Sequence, residues 1–182
     1  MKTNLPKYKE PEAFGKSHAS MEKSKKEEQE FGPGKESIGI CRDCGAMYYN
    51  KSWHHNLRNY KQLDEDKKVN FFICPACKMI GDQKFEGQAI LENVPENLLS
   101  EAVRNIENTG ERAYKRDPMD RIIKIKKQKS KTEGTWNVEV LATENQLARN
   151  IARQIEKAFK GSGSNVKWSR NESTARIVVR FI

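Results

Sequence analysis

Two cysteine pairs constrain this chain more than any other feature. They are Cys41-x2-Cys44 in ICRDCG and Cys74-x2-Cys77 in FICPAC, with 29 residues between them. Each pair places two thiols on one tight turn, and two such turns can bring four thiolates to the corners of a tetrahedron around one Zn²⁺. Gly45 behind the first pair and Pro75 inside the second suit turns whose backbone N–H groups face sulfur. Apolar residues precede both, Ile38 and Ile40 in one case and Phe71, Phe72 and Ile73 in the other, as strands leading into the turns require. The interval exceeds the usual spacing of about 15–20 residues. Part of it must therefore loop out, at a closure cost that grows slowly with length.

A CxxC motif is also compatible with redox chemistry. That use needs a single pair, placed after a strand and at the start of a helix. Here there are two pairs, and no long apolar-periodic helix is legible after Cys77. Four cysteines fill a tetrahedral coordination sphere and leave no position for a reacting water, so one structural Zn²⁺ is expected on Cys41, Cys44, Cys74 and Cys77. His54 and His55, in the insert YYNKSWHHNLRNYKQLDEDKK, are surplus as ligands. No serine–histidine–acid arrangement, phosphate loop or paired-carboxylate motif stands out, which argues against an enzyme and against a small-molecule substrate. No apolar run approaches the roughly 18 residues of a spanning helix. The first residues, MKTNLPKYKE, lack the apolar centre of a secretory signal. A cytoplasmic protein with reduced cysteines and no membrane partner is expected.

Residues 1–37 read as a disordered tail: rich in Lys, Glu, Ser and Gly, with eight lysines against seven glutamates and little to bury. Residues 38–83 form the zinc ribbon, its insert carrying a short helix within 53–65 suggested by the spacing of Trp53, Leu57 and Tyr60. Residues 84–182 read as a separate basic α+β domain. A strand over Phe85–Glu92 precedes a helix opened by Pro95 and running to about Tyr114, striped by Leu98, Leu99, Ala102, Val103 and Ile106. Arg121–Lys129 and Thr135–Leu141 form a hairpin turning at Gly134. Thr143 caps a second helix with Leu147, Ile151, Ile155 and Phe159 on one face; after Gly161-Ser162-Gly163-Ser164 come strands over Asn165–Ser169 and Thr174–Phe181. The order β-α-β-β-α-β, with one extra strand near the end, is that of a ferredoxin-like split βαβ sandwich.

The net charge of +9 points to an anionic partner, and its placement is uneven. Residues 94–133 hold ten basic and seven acidic side chains and residues 134–182 hold eight and four, so seven of the nine excess positive charges lie after residue 93. Arg149, Arg153 and Lys157, continued by Lys160, recur along the second helix away from its apolar face. Lys124 and Lys126 alternate with Ile123 and Ile125, and Arg176 and Arg180 alternate with Ile177 and Val179. These seven residues (Lys124, Lys126, Arg149, Arg153, Lys157, Arg176 and Arg180) are the candidate RNA contacts. Trp136 and Trp168 lie among apolar strand residues and are expected in the core.

The pairing of CRDCG with a later FICPAC, followed by a small basic α+β domain, resembles the Nmd-type zinc-ribbon proteins, and among them the short bacterial relatives of the archaeal and eukaryotic large-subunit adapters. The resemblance covers residues 38–82. It implies zinc on the four cysteines and contact with ribosomal RNA or a ribosomal subunit, with ribosomal proteins as further partners. The family's adapters carry more CxxC pairs and export signals that have no counterpart here, so nuclear export is not implied. The leading expectation is a non-enzymatic zinc protein that binds RNA. The alternatives are a zinc-ribbon module for protein–protein interaction and a CxxC thiol oxidoreductase.

Overall fold

Both cysteine pairs sit where a strand stops. The computed structural model describes residues 37–60, 68–168 and 174–181, the side chains of 164–168 excepted. All of these belong to the unit Glu36–Ile182. The tail expected over residues 1–37 lies outside the described residues but for its last one.

The first sheet is built from β1 (Ile38–Cys41), β2 (Met47–Tyr49), β3 (Ser52–His54) and β4 (Val69–Phe72), in the order β3-β2-β1-β4. β1 and β4 run parallel with Cys41 opposite Phe72, so both cysteine turns emerge at the same end of the sheet. Gly39 leaves room for the Phe72 ring, with which a Cβ there would collide. The helix expected within 53–65 is not formed over its described part. Asn50 and Lys51 instead adopt φ of +48° and +61°, the two left-handed residues of a type I′ hairpin. β3 thus folds back on β2, and the Trp53 ring packs 5.2 Å from Tyr48 and 5.5 Å from Phe72. Residues 61–67 lie outside the described residues. A seven-residue helix, α1 (Pro75–Gly81), follows β4.

The second sheet has five strands: β5 (Gly87–Pro95), β6 (Ile122–Lys129), β7 (Thr135–Ala142), β8 (Gly163–Trp168) and β9 (Ala175–Arg180), in the order β6-β7-β5-β9-β8. The helices α2 (Glu96–Arg116) and α3 (Asn145–Ala158) bring the apolar stripe read from the sequence against it. Ala89 and Leu91 of β5, Val138 and Val140 of β7, and Ile177 and Val179 of β9 meet Ala102 and Ile106 of α2 and Leu147, Ile151 and Ile155 of α3 in one buried cluster. Gly110 of α2 lets β6 close in, since a Cβ would stand 2.5 Å from Ile122 Cδ1. A bulge after Leu91, with Asn93 at φ +59°, returns Val94 to the buried side. The elements follow the expected order, but β9 pairs parallel to β5, because β8 forms an antiparallel outer hairpin with it. The sheet is therefore mixed. None of the described helices is long and apolar enough to cross a membrane.

Thr143 does not cap α3, which begins one residue later behind Glu144. It is buried instead, its hydroxyl donating to Met119 O at 2.6 Å and accepting from Arg121 N–H at 2.8 Å. This pins the segment between α2 and β6, which reaches the cysteines.

Two outcomes test this packing. Ile151→Ala should lower stability by about 3 kcal/mol, moving the urea midpoint without changing the slope. Burial first, then Glu86, Asp120 and Asp117, raise the Glu144 carboxyl from the ordinary 4.5 to about 7. Between those values the folded chain keeps a proton that the unfolded chain has lost, so this group makes stability fall as pH rises. After allowance for solvent screening of a half-exposed group, Glu144→Gln should stabilise by about 1 kcal/mol at pH 8 and by almost nothing at pH 4, read by thermal unfolding.

Candidate metal centre and basic surfaces

The four cysteines converge. Their sulfur atoms all lie within 4.8 Å of one another, and the Cys44 and Cys74 sulfurs are 3.7 Å apart. Four thiolates at a Zn–S distance of about 2.3 Å define a tetrahedron with edges of about 3.8 Å, so the donor set fits a single metal ion. All four thiols are free of disulfide bonds. Among the described residues no other group of His, Cys, Asp or Glu side chains comes together in this way.

Each turn is built by backbone. In the first, Gly45 at φ +73° donates its N–H to Cys41 O at 2.9 Å, while Cys41 N–H bonds Ala46 O at 2.9 Å. In the second, Cys74 caps α1 and Pro75 occupies its first turn, so the Cys77 N–H meets Cys74 Sγ at 3.4 Å. The Cys74 N–H reaches across to Cys41 Sγ at 3.2 Å. Burial alone would raise the Cys41 thiol, but the N–H groups of Cys74, Cys44 and Asp43 outweigh it and bring the pKa down to about 6. Burial pushes Cys74 and Cys77 up, and for Cys77 the neighbouring thiols add to it.

No long apolar-periodic helix immediately follows Cys77, but the short α1 (Pro75–Gly81) begins directly behind Cys74. Its position, behind a strand, is that of a redox CxxC. Cys74, however, is wholly buried, and the Cys41 and Cys44 sulfurs stand beside it, an enclosed setting that shields it from thiol exchange. His54 and His55 are held elsewhere. His54 Nε2 lies 3.2 Å from Tyr49 O and 2.9 Å from Ser52 Oγ. The His55 Nε2–H donates to Tyr114 O, and the two rings meet edge to face.

The residue that sequence reading missed is Arg121. Its Nη1–H donates to Cys77 Sγ at 3.4 Å, its Nε–H to Pro118 O at 2.8 Å, and its guanidinium lies 5.1 Å from the Tyr114 ring centroid. Arg121 Nη2 is buried without a hydrogen-bond partner among the described residues, which suits a neighbour rich in negative charge. Burial works against its charge, yet the Cys44, Cys77 and Cys74 thiols hold its pKa above the ordinary value. Four thiolates around a divalent ion leave two net negative charges, and Arg121 supplies one positive charge against them. Met119 from the same segment packs on the cysteine cluster.

The predicted RNA contacts divide between two surfaces. Register places Lys124, Lys126, Arg176 and Arg180 on the sheet face away from the helices. There Arg180 Nε–H donates to Glu92 Oε2 at 2.7 Å, and Arg176 bonds Gln88, which in turn bonds Glu139. Arg149, Arg153 and Lys157 lie on α3, on the other side of the sheet. Arg149 and Arg153 border a cleft of about 200 Å³ between the end of α2 and the start of α3, together with Arg116, Gln146, Asn150 and Asp120. Trp136 is half-buried at the start of β7, with the Lys129 ammonium 5.8 Å from its ring centroid, and is not a core residue. The Trp168 side chain lies outside the described ones.

Arg121→Leu should weaken metal retention by about 10- to 100-fold, as loss of an outer partner commonly does, measured by competition with a chromophoric chelator. Arg121→Lys, which keeps charge but loses the fork, should recover part of it. No family model, curated protein or solved structure matches the chain.

Proposed function

We propose that this is a non-enzymatic protein in which one structural zinc ion closes the ribbon and the basic domain contacts RNA. Zinc is the natural occupant of a tetrahedral four-thiolate set. When bound it supplies cross-linking and charge, with no open position for chemistry. The sandwich is read as a split βαβ variant whose outer hairpin makes its sheet mixed. The resemblance to the Nmd-type zinc-ribbon proteins extends the proposal to ribosomal RNA or a ribosomal subunit.

The observation that carries the RNA reading is the cleft lined by Arg116, Arg149 and Arg153 beside two carboxamides, where three guanidinium groups outnumber the one carboxylate, Asp120. Guanidinium groups bind phosphate oxygens in a bidentate fork, and carboxamides add hydrogen bonds at little electrostatic cost. On the open sheet face Arg180 bonds Glu92 and Arg176 bonds Gln88, which in turn bonds Glu139. The phosphate contacts are assigned to the helical side because three guanidinium groups line one cleft there.

A salt titration with ribosomal RNA fragments checks this. Replacing Arg149 and Arg153 together by Ala should make the slope of log affinity against log salt shallower by roughly 1.5, with the fold intact. Replacing Lys124 and Lys126 should leave that slope unchanged. The reverse pattern moves the interface to the open sheet face, and a slope near zero in the unaltered protein removes the RNA reading.

A further inference from the structure

Val69, Phe71 and Ile73 are exposed by 43%, 58% and 54%, and among the described residues only Tyr114 joins them as a large hydrophobic so open to water. Single apolar residues on a surface are ordinary. Val69 and Phe71 alternate along β4, so their side chains share one side of it, and Ile73 follows two positions on, just past the strand's end.

The strand is an edge. β4 is last in the order β3-β2-β1-β4 and, among the described residues, pairs with β1 alone. Its bonds to β1 use the carbonyls of Lys68 and Phe72, which accept from Ile38 N–H at 3.1 Å and Arg42 N–H at 2.9 Å. In a parallel ladder alternate residues point their backbone groups to opposite sides. The N–H and C=O groups of Val69 and Phe71 therefore face the edge left open among the described residues, and the exposed stripe runs through these two residues to Ile73. Proteins commonly guard such an edge with proline, an inward charge or a bulge. The segment VNFFI, residues 69–73, has none of these.

We infer that the β4 edge docks an extended peptide strand of a partner protein, with alternating apolar residues and acidic flanks. Added strands bind through main-chain hydrogen bonds and take specificity from alternate side chains, which is what this edge offers. Three side chains expose a few hundred Å², well short of the roughly 800 Å² per partner of a stable interface between two folded proteins. That size suits a short strand and is too small for a lasting edge-to-edge pair of two copies. The charges beside the edge set the flanks, since Lys68 precedes β4, Arg42 adjoins Phe72 through the backbone, and both are exposed. Base stacking on Phe71 would leave Val69, Ile73 and the free backbone groups without a role. The inference is independent of the RNA reading, whose cleft lies between α2 and α3.

The test is selection of displayed random decapeptides on the full-length, zinc-loaded protein. Enriched peptides should alternate apolar residues and end in Asp or Glu. A synthetic copy of the strongest should slow hydrogen exchange at the amides of Val69 and Phe71. Phe71→Lys should weaken it by about tenfold or more, leaving zinc content and thermal midpoint unchanged; Val69→Pro, which removes one outward N–H, should weaken it too. The inference is overturned if nothing is enriched or the winners lack alternation. It also fails if those two amides are already protected in the peptide-free chain, which would place another segment of this chain on the edge. A concentration-dependent dimer abolished by Phe71→Lys would assign the edge to a second copy. Photo-crosslinking of Phe71 to RNA, with no competition by peptide, would assign it to RNA.

Discussion

Four sulfur atoms meeting at one point is the constraint on which the ribbon depends. Among the described residues its buried apolar cluster consists of Cys41, Ala46, Cys74 and Ala76, with the partly buried Cys44, Trp53, Cys77 and Met119 packed against it. A core this small cannot offset the conformational entropy of ordering some forty residues. In small domains of this kind metal coordination supplies the balance, with apparent binding energies of about 10–16 kcal/mol that are folding energy. The same convergence explains the topology. Two cysteine turns close on one ion only if their strands end side by side, which the parallel pairing of β1 and β4 achieves.

The centre also reaches beyond its own sheet. Arg121 comes from the segment between α2 and β6, and its backbone N–H is held by the buried Thr143 at the end of β7. The chain of contacts runs from the core of the second sheet through Thr143 to Arg121 and on to Cys77. A four-thiolate metal site is doubly negative, and a half-buried guanidinium offsets part of that charge where water cannot. The arginine beside the cysteines thus comes from the segment that leads into the second sheet.

Much of this was legible in the residues, and the misses have definite causes. The cysteine spacing anticipated the convergence of the four sulfurs because coordination chemistry admits few alternatives. The apolar stripes of α2 and α3 and the β6–β7 hairpin followed from periodicity, with boundaries moved by one or two residues. The helix expected within 53–65 rested on the spacing of Trp53, Leu57 and Tyr60, yet the turn at Asn50-Lys51 folds this stretch back as β3; lysine is an unusual left-handed residue, so the hairpin signal was hidden. Thr143 has the chemistry of a helix cap, but a buried hydroxyl satisfies whichever backbone groups stand nearest, and those belong to Met119 and Arg121. Arg121 opens RIIKIKKQK, and no local pattern links it to a thiol 44 positions away. The parallel pairing of β9 with β5 is likewise a long-range choice, made when the β8–β9 hairpin docks.

The most direct measurement is X-ray absorption at the zinc edge on the full-length protein, purified without added metal. The result expected is one zinc per chain with a shell of four sulfurs at about 2.3 Å and no nitrogen or oxygen neighbour. A mixed shell, or zinc-free protein carrying a Cys74–Cys77 disulfide, would contradict a closed structural centre.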